Sequence, residues 1–196
     1  MESENLYLEG EERFGPVSSF FYGIVSPLLR KYYKTIFEYL DGKNFDSLLD
    51  IGCGSGTVVI KLAENHPNAQ FHCIDPSPDM IKLARKRIAR KGLDSRIIAK
   101  IGSSRRIPFD QKFDVIISSF SYHHWKDRNH SLKVLAGLLR KGGFLTIFEY
   151  DNDRGKMKNS HGIREEEWDD LEIEGFYKTV DHKNGLIILT IRETGF

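Results

Sequence analysis

Three glycines at alternate positions, Gly52, Gly54 and Gly56, follow a short apolar run that carries an acid, Leu48-Leu49-Asp50-Ile51. Such spacing lets backbone approach a bound molecule, because side chains at Gly52 or Gly54 would fill that space, and a helix starting just beyond offers free N–H groups to an anion. A dinucleotide turn of the Gly-x-Gly-x-x-Gly type would place its third glycine at position 57, where this chain has Thr57. Asp75 closes the run Phe71-His72-Cys73-Ile74, about twenty residues beyond the glycines, where an acid at a strand's end accepts both hydroxyls of a ribose. Its structural alternative is to cap the helix beginning at Pro78, a task for which Ser77 is better suited. Asp50 is open between orienting the glycine turn by accepting N–H bonds, meeting a ligand's amino group through water, and a purely structural role.

The elements that must carry these residues are punctuated by Pro, Ser and Gly. Ser26-Pro27 marks a helix start and Asp41-Gly42 its stop, predicting a helix over 27–40. Residues 47–51 read as a strand, and Val58, Val59, Leu62 and Ala63 recur at helical spacing before Pro67. The pattern repeats with a strand at 70–74 and a helix from Ser77-Pro78 with the face Ile81, Ala84 and Ile88, closed by Gly92. Further strands are expected at 96–101, 113–118 and 144–149, a helix at 129–140 and an acidic helix near 164–174, with a surface loop at 151–162. Alternating strands and helices imply one doubly wound α/β domain with a mostly parallel sheet and helices on both faces. Strand-like runs at 176–181 and 186–192 are joined through Asn184-Gly185, a hairpin signal that makes the last strand antiparallel.

A chain of 196 residues with net charge +1 fits one domain with a short appendage and has no global pull toward nucleic acid or an anionic membrane. Met1 to Gly15 is polar and acidic, unlike a signal peptide, and no apolar run is long enough to span a bilayer. Two cysteines, Cys53 and Cys73, make no disulfide framework and no metal site, so a reducing cytoplasm is the expected compartment. The basic stretch 82–106 shares a helix with an apolar face and lacks interleaved aromatics, which reads as a solvated face rather than a nucleic-acid footprint; Arg105 and Arg106 lie nearer the glycine turn. The aromatic, basic segment 20–39 reads as a lid helix, the alternative being a membrane-surface helix.

Taken together, these residues resemble the class I S-adenosylmethionine-dependent methyltransferases, and particularly the small-molecule branch related to ubiquinone and menaquinone biosynthesis. The resemblance spans roughly residues 45–150. Asp50-Ile-Gly-Cys-Gly-Ser-Gly56 resembles the family's first motif, Asp75 its ribose-binding acid, and Pro76-Ser-Pro-Asp-Met80 the turn closing on the adenosine. Gly102-Ser103-Ser104 resembles the segment flanking the adenine, Phe113 to Trp125 the fourth-strand motif that includes Ser119, and residues 138–145 the approach to the fifth strand. It implies a Rossmann-like, seven-stranded sheet with its last strand antiparallel, divided into an amino-terminal lid or helical appendage at 1–42 and a donor-binding domain at 43–196. Donor contacts are implied for Asp50, Gly52, Cys53, Gly54, Gly56, Asp75, Pro76, Met80, Gly102, Ser103, Ser104 and Ser119. Ser103 departs from the acid usual there, which gives adenine's amino group a hydroxyl or carbonyl acceptor instead.

The implied activity moves a methyl group from S-adenosylmethionine to a small-molecule acceptor, leaving S-adenosylhomocysteine. Such a displacement needs alignment and exclusion of water more than acid/base groups. His123 or His124 is placed to take the acceptor's proton, or else to form the pocket wall and pack the next helix; Tyr22 shields the cofactor, meets the acceptor, or staples the helix at Pro27. Two other expectations compete: methylation of protein or RNA, against which the short loop after the fifth strand speaks, and a non-catalytic partner subunit that keeps the fold.

Overall fold

The computed structural model describes residues 27–155 and 161–195. Ser26, Phe21 and Tyr22, singled out above, lie outside them. In chain order the elements are α1 (Pro27–Asp41), β1 (Ser47–Ile51), α2 (Thr57–Asn65), β2 (Gln70–Asp75), α3 (Pro78–Arg90), β3 (Ile97–Ile101), β4 (Phe113–Ser119), α4 (Arg128–Gly137), β5 (Leu139–Asp151), β6 (Gly162–Ile163), β7 (Phe176–Lys183) and β8 (Leu186–Glu193), with 3-10 turns at Tyr122–His124 and Glu165–Trp168.

The sheet runs β3-β2-β1-β4-β5-β8-β7, with the two-residue β6 paired to β5 as an addition to the expected seven. All neighbours are parallel except β8, which runs antiparallel to both β5 and β7. The hairpin turn supplies that reversal: Asn184 and Gly185 have φ of 56° and 86°, the paired left-handed conformations that match the twist of two antiparallel strands.

Strand side chains alternate between two cores. Leu48, Phe71, Ile117 and Phe148 face one side with Val59 and Leu62 of α2 and Ile81, Ala84 and Ile88 of α3. Leu49, Ile116, Leu145 and Ile187 face the other with Leu132 and Leu135 of α4 and Trp168. Helix α1 joins the first layer through the fully buried Ile36 and Leu40. Polar bonds stitch it to the carboxyl-terminal hairpin: Tyr39 Oη lies 2.7 Å from Thr190 Oγ1, and Asn184 Nδ2 donates to Thr35 Oγ1 at 3.0 Å.

Two helical expectations are shortened by competing partners. Helix α4 stops at Gly137 rather than 140, because Leu139 already pairs with Phe113 at the start of a longer β5. The acidic segment near 164–174 forms only the turn Glu165–Trp168. Its closely spaced carboxylates would repel along a helix, and Lys178 Nζ draws the carbonyls of Trp168, Asp169 and Leu171 to itself instead. The basic stretch is also not wholly solvated. Arg85 donates twice to Ala99 O, at 2.9 and 2.8 Å, and Arg96 donates to His66 O and Ala63 O at 3.0 and 2.6 Å.

Beyond the carboxyl end of β5, His182 of β7 bridges Asp151 Oδ2 (2.8 Å from Nδ1) and Glu165 Oε2 (3.0 Å from Nε2). Burial opposes the imidazolium, but the two carboxylates outweigh it and raise the pKa above 6.5. The imidazolium's stabilisation is therefore complete below pH 6.5 and fades as pH rises through the raised value. His182→Gln is expected to cost about 1–2 kcal/mol at pH 5.5 and progressively less at alkaline pH, read from urea midpoints across that range. A gap that stays constant with pH would show that the ion pairs contribute nothing.

Candidate functional site

The sheet order reverses between β1 and β4, and at such a switch point the carboxyl ends of strands leave a crevice. Here it is a cleft floored by the turn after β1 and walled by residues of α1, β2 and the segment after β4.

The turn is fixed by its own backbone. Gly52, Gly54 and Gly56 all have positive φ, at 72°, 53° and 76°. The N–H groups of Gly52 and Cys53 both donate to Ile74 O at 2.9 Å, tying the turn to the end of β2. A Cβ on Gly52 would stand only 2.5 Å from Ser121 Cβ, whereas one on Gly54 would meet nothing within 4 Å. Gly56 serves packing: its Cβ position lies 3.4 Å from Ala84 Cβ, where α2 and α3 approach.

Asp75 is buried, and its two oxygens accept from Gly54 N and Ser77 N, each at 2.9 Å. It thus orders the glycine turn and the entry to α3 while each oxygen retains accepting capacity toward the cleft. Ser77 Oγ caps α3 by accepting from Met80 N at 3.3 Å. Burial raises Asp75 to about 6 against the pull of the Ser77 and Gly54 N–H bonds. Asp50 is 2% exposed, and among the described residues no hydrogen bond reaches its carboxylate. The loop-orienting role open to it in sequence belongs to Ile74 O and Asp75. Burial, reinforced by the neighbouring Asp75, pushes Asp50 to about 7. The Cys53 thiol is raised by its contact with Cys73 and by burial, so it is held protonated rather than poised as a nucleophile.

Behind the turn stands Arg87 of α3, which nothing in the basic helix pattern sets apart from its neighbours. Its Nη1 donates to Ser55 O at 2.9 Å, Ser55 Oγ at 2.5 Å and Thr57 Oγ1 at 2.9 Å. Arg87→Met is expected to cost about 1–3 kcal/mol and to speed amide hydrogen exchange across residues 53–57 while leaving β1 protected. Unchanged exchange there would mean the turn needs no support from α3.

The opposite wall is aromatic. Phe120 holds φ of 56°, rare for a bulky side chain, and donates its N–H to Phe148 O at 2.9 Å. In that pose its ring stacks on Tyr150 at 4.7 Å and meets Tyr33 of α1 edge-on at 5.9 Å. Just beyond, buried Glu149 accepts from Tyr122 N (2.7 Å) and His123 N (3.3 Å) and lies 2.9 Å from His123 Nδ1. Tyr122 and Trp125 are buried in the second core.

Of the residues singled out in sequence, Asp50, Gly52, Cys53, Gly54, Asp75, Met80, Ser119 and His124 line the cleft. Gly56, Pro76, Gly102, Ser103, Ser104 and His123 lie outside its lining. Ser103 and Arg106 exchange backbone hydrogen bonds in a tight turn, and Ser104 Oγ reaches Ser131 Oγ at 2.9 Å, fastening that turn to α4. Leu29, Tyr33, Ser55, Thr57, Val58, Phe120, Ser121 and Tyr150 also line the cleft. The motif spacing pointed to none of them as site residues except through their neighbours.

A glycine turn at a switch point, a buried acid at the next strand's end and an antiparallel strand between β5 and β7 define a Rossmann-like α/β domain. Residues 49–145, about half the chain, match the model of the methyltransferase domain family. Over 106 residues the chain is 32% identical to 27-O-demethylrifamycin SV methyltransferase of Amycolatopsis mediterranei, covering 54% of this chain and 39% of that protein. Over 109 residues it is 30% identical to a ubiquinone/menaquinone biosynthesis C-methyltransferase of Geotalea daltonii, covering 55% and 46%. It therefore spans less than half the length of these relatives. The crystal structure of a putative S-adenosylmethionine-dependent methyltransferase from Methanococcus maripaludis superposes with TM-score 0.76 at 20% identity, covering 97% of this chain and 98% of that one. The chain belongs to the class I S-adenosylmethionine-dependent methyltransferase family. Among the described residues no helix is long and apolar enough to cross a membrane.

Proposed function

We propose that this protein transfers a methyl group from S-adenosylmethionine to a small-molecule acceptor, with the donor seated in the cleft between the glycine turn and the Phe120 wall. The observation that carries this is the buried Asp50 carboxylate, reached by no hydrogen bond among the described residues, beside Asp75 on the cleft floor. Two adjacent acids there suit a cationic ligand, whose charge would favour their ionised forms, and a nearby buried oxygen, Ser119 Oγ, has no partner among the described residues. Gly52, pressed against Ser121, and the open space over Gly54 leave backbone bare on the side where the ligand's chain would lie.

S-adenosylmethionine supplies a methyl group on a sulfonium cation, ready for in-line displacement. The chain's own work is to bind, align and keep out water. Asp75 accepts the ribose hydroxyls with the lone pairs its N–H donors leave free. Met80 gives the adenine an apolar face, and Gly102, Ser103, Ser104 and Pro76 form the rim behind it. Gly52, Cys53, Gly54 and Ser119 hold the amino-acid end, with Asp50 countering its positive charge. Leu29 and Tyr33 of α1 line the cleft, which supports a lid role for the amino-terminal unit, 1–42, beside a donor-binding unit of 43–196. His124, on the cleft wall, is the better placed of the two histidines to meet the acceptor. Two free thiols suit a reducing, cytoplasmic setting.

The small-molecule class rests on the activities for which the relatives are named and on the short connection from β5 to β6. Incubation of the protein with methyl-labelled donor and a cell extract, followed by separation by size, tests it. Label is expected in the low-molecular-weight fraction. Label confined to protein or RNA would refute the acceptor class without touching donor binding.

A further inference from the structure

At the carboxyl ends of β4 and β5, beside the cleft, three imidazoles converge: His123 and His124 from the 3-10 turn and His161 immediately before β6. One nitrogen of each lies within 4.8 Å of the others. The ring centroids are 4.0 Å apart for His123–His124, 5.0 Å for His123–His161 and 5.9 Å for His124–His161.

We propose that His123, His124 and His161 form a binding site for one divalent transition ion of the zinc class. Glu149 is the independent support. Its fully buried carboxylate lies 2.9 Å from His123 Nδ1, the orienting acceptor that metal-bound imidazoles commonly carry on their second nitrogen. With Nδ1–H donated to Glu149, the lone pair of His123 resides on Nε2. Metal–imidazole bonds of about 2.0–2.1 Å in tetrahedral geometry need nitrogens roughly 3.4 Å apart, a closure of about 1.4 Å or less that ring rotation provides. His161, the exposed member of the three, is the ring that would make that movement.

Three protein ligands leave a fourth position open, the arrangement of zinc sites that take a water or substrate atom rather than purely structural ones. His124 belongs to both the triad and the cleft lining, so that position adjoins the space beside the donor. The ion would anchor an oxygen or nitrogen of the acceptor there. This last step rests on the methyltransferase reading above, whereas ion binding does not.

Untagged protein, stripped with a chelator, is titrated with Co2+ while its visible d–d absorption is followed, and Zn2+ is then added as competitor. One Co2+ per chain with nitrogen-ligand bands, displaced by Zn2+, is expected. His161→Ala should weaken uptake by at least about 100-fold and Glu149→Gln by about 10–100-fold, with thermal melting verifying that each variant is folded. His130→Ala, on α4 outside the triad, should bind as wild type does. No band, or a band that persists undiminished in both His161→Ala and His123→Ala, would overturn the proposal. S-adenosylhomocysteine titrations of the same samples separate the two claims: metal uptake without nucleoside binding sinks only the donor assignment, and nucleoside binding without metal uptake sinks only this site.

Discussion

Gly52→Ala is expected to be among the most damaging single-methyl additions the chain can suffer. The new Cβ meets two penalties at once. At φ 72° an L-residue is strained by about 1–2 kcal/mol. The methyl also stands 2.5 Å from Ser121 Cβ, and relieving such overlap costs about 1–3 kcal/mol. Ser121 has little room to yield, since its hydroxyl donates to Ile51 O at 3.1 Å and pairs with Ser118 Oγ at 2.9 Å. A total loss of about 2–5 kcal/mol follows from these terms, read by denaturant unfolding. Gly54→Ala separates fold from function: its Cβ meets nothing, so stability should fall by only about 1–2 kcal/mol. Its methyl nonetheless enters the proposed ligand space, and nucleoside binding should be lost. Equal stability losses for the two variants would contradict the packing account of Gly52. Undiminished binding by Gly54→Ala would contradict the assignment of the turn.

The second large effect is an opposition between stability and binding at Asp50. Its folded-state pKa of about 7 lies above the ordinary 3.8. Folding therefore favours the protonated acid. The contribution is complete below pH 3.8 and is lost as pH climbs through about 7, where the ionised carboxylate must be buried without a partner. Asp50→Asn removes that burden. The variant should match wild type near pH 4 and exceed it by about 2–4 kcal/mol at pH 8 in the ligand-free state. Binding should move the other way, S-adenosylmethionine affinity falling about 10–100-fold at pH 8 with the lost charge. S-adenosylhomocysteine, which carries the same α-ammonium group, should lose a similar factor. Wild-type affinity for the cationic donor should itself decline as pH falls below 7 and then below 6, as Asp50 and then Asp75 take up protons. A variant no more stable than wild type at pH 8 would mean that Asp50 has an acceptable partner in the free protein.

What could be read in sequence was whatever local chemistry decides. Ser77-Pro78 starts α3, Gly92 with φ 65° ends the turn after it, and Asn184-Gly185 reverses the chain, because each is a backbone conformation with few compatible residues. The glycine turn and Asp75 were legible on the same ground. Features assembled across the sheet were not. Arg87 reaches Ser55 from thirty-two positions away, and nothing in a basic helix distinguishes it from its solvated neighbours. Phe120 adopts positive φ only because Phe148, Tyr150 and Tyr33 hold it there. His161 joins His123 and His124 through the β5–β6 pairing, so its proximity is a product of register rather than spacing. The acidic segment after residue 164 has helical apolar spacing, yet Lys178 and mutual repulsion decide against the helix.

The central claim is that the cleft holds the methyl donor through Asp75, and isothermal calorimetry tests it most directly. Wild-type protein should bind S-adenosylmethionine and S-adenosylhomocysteine at one site per chain. Asp75→Ala, deprived of the ribose acceptor and of the partner to Gly54 N and Ser77 N, should lose at least about 100-fold in affinity for both. Asp75→Asn, which keeps an acceptor oxygen for one N–H, should fall between. Absence of binding to either nucleoside by wild type, or an Asp75→Ala variant indistinguishable from it, would contradict the account.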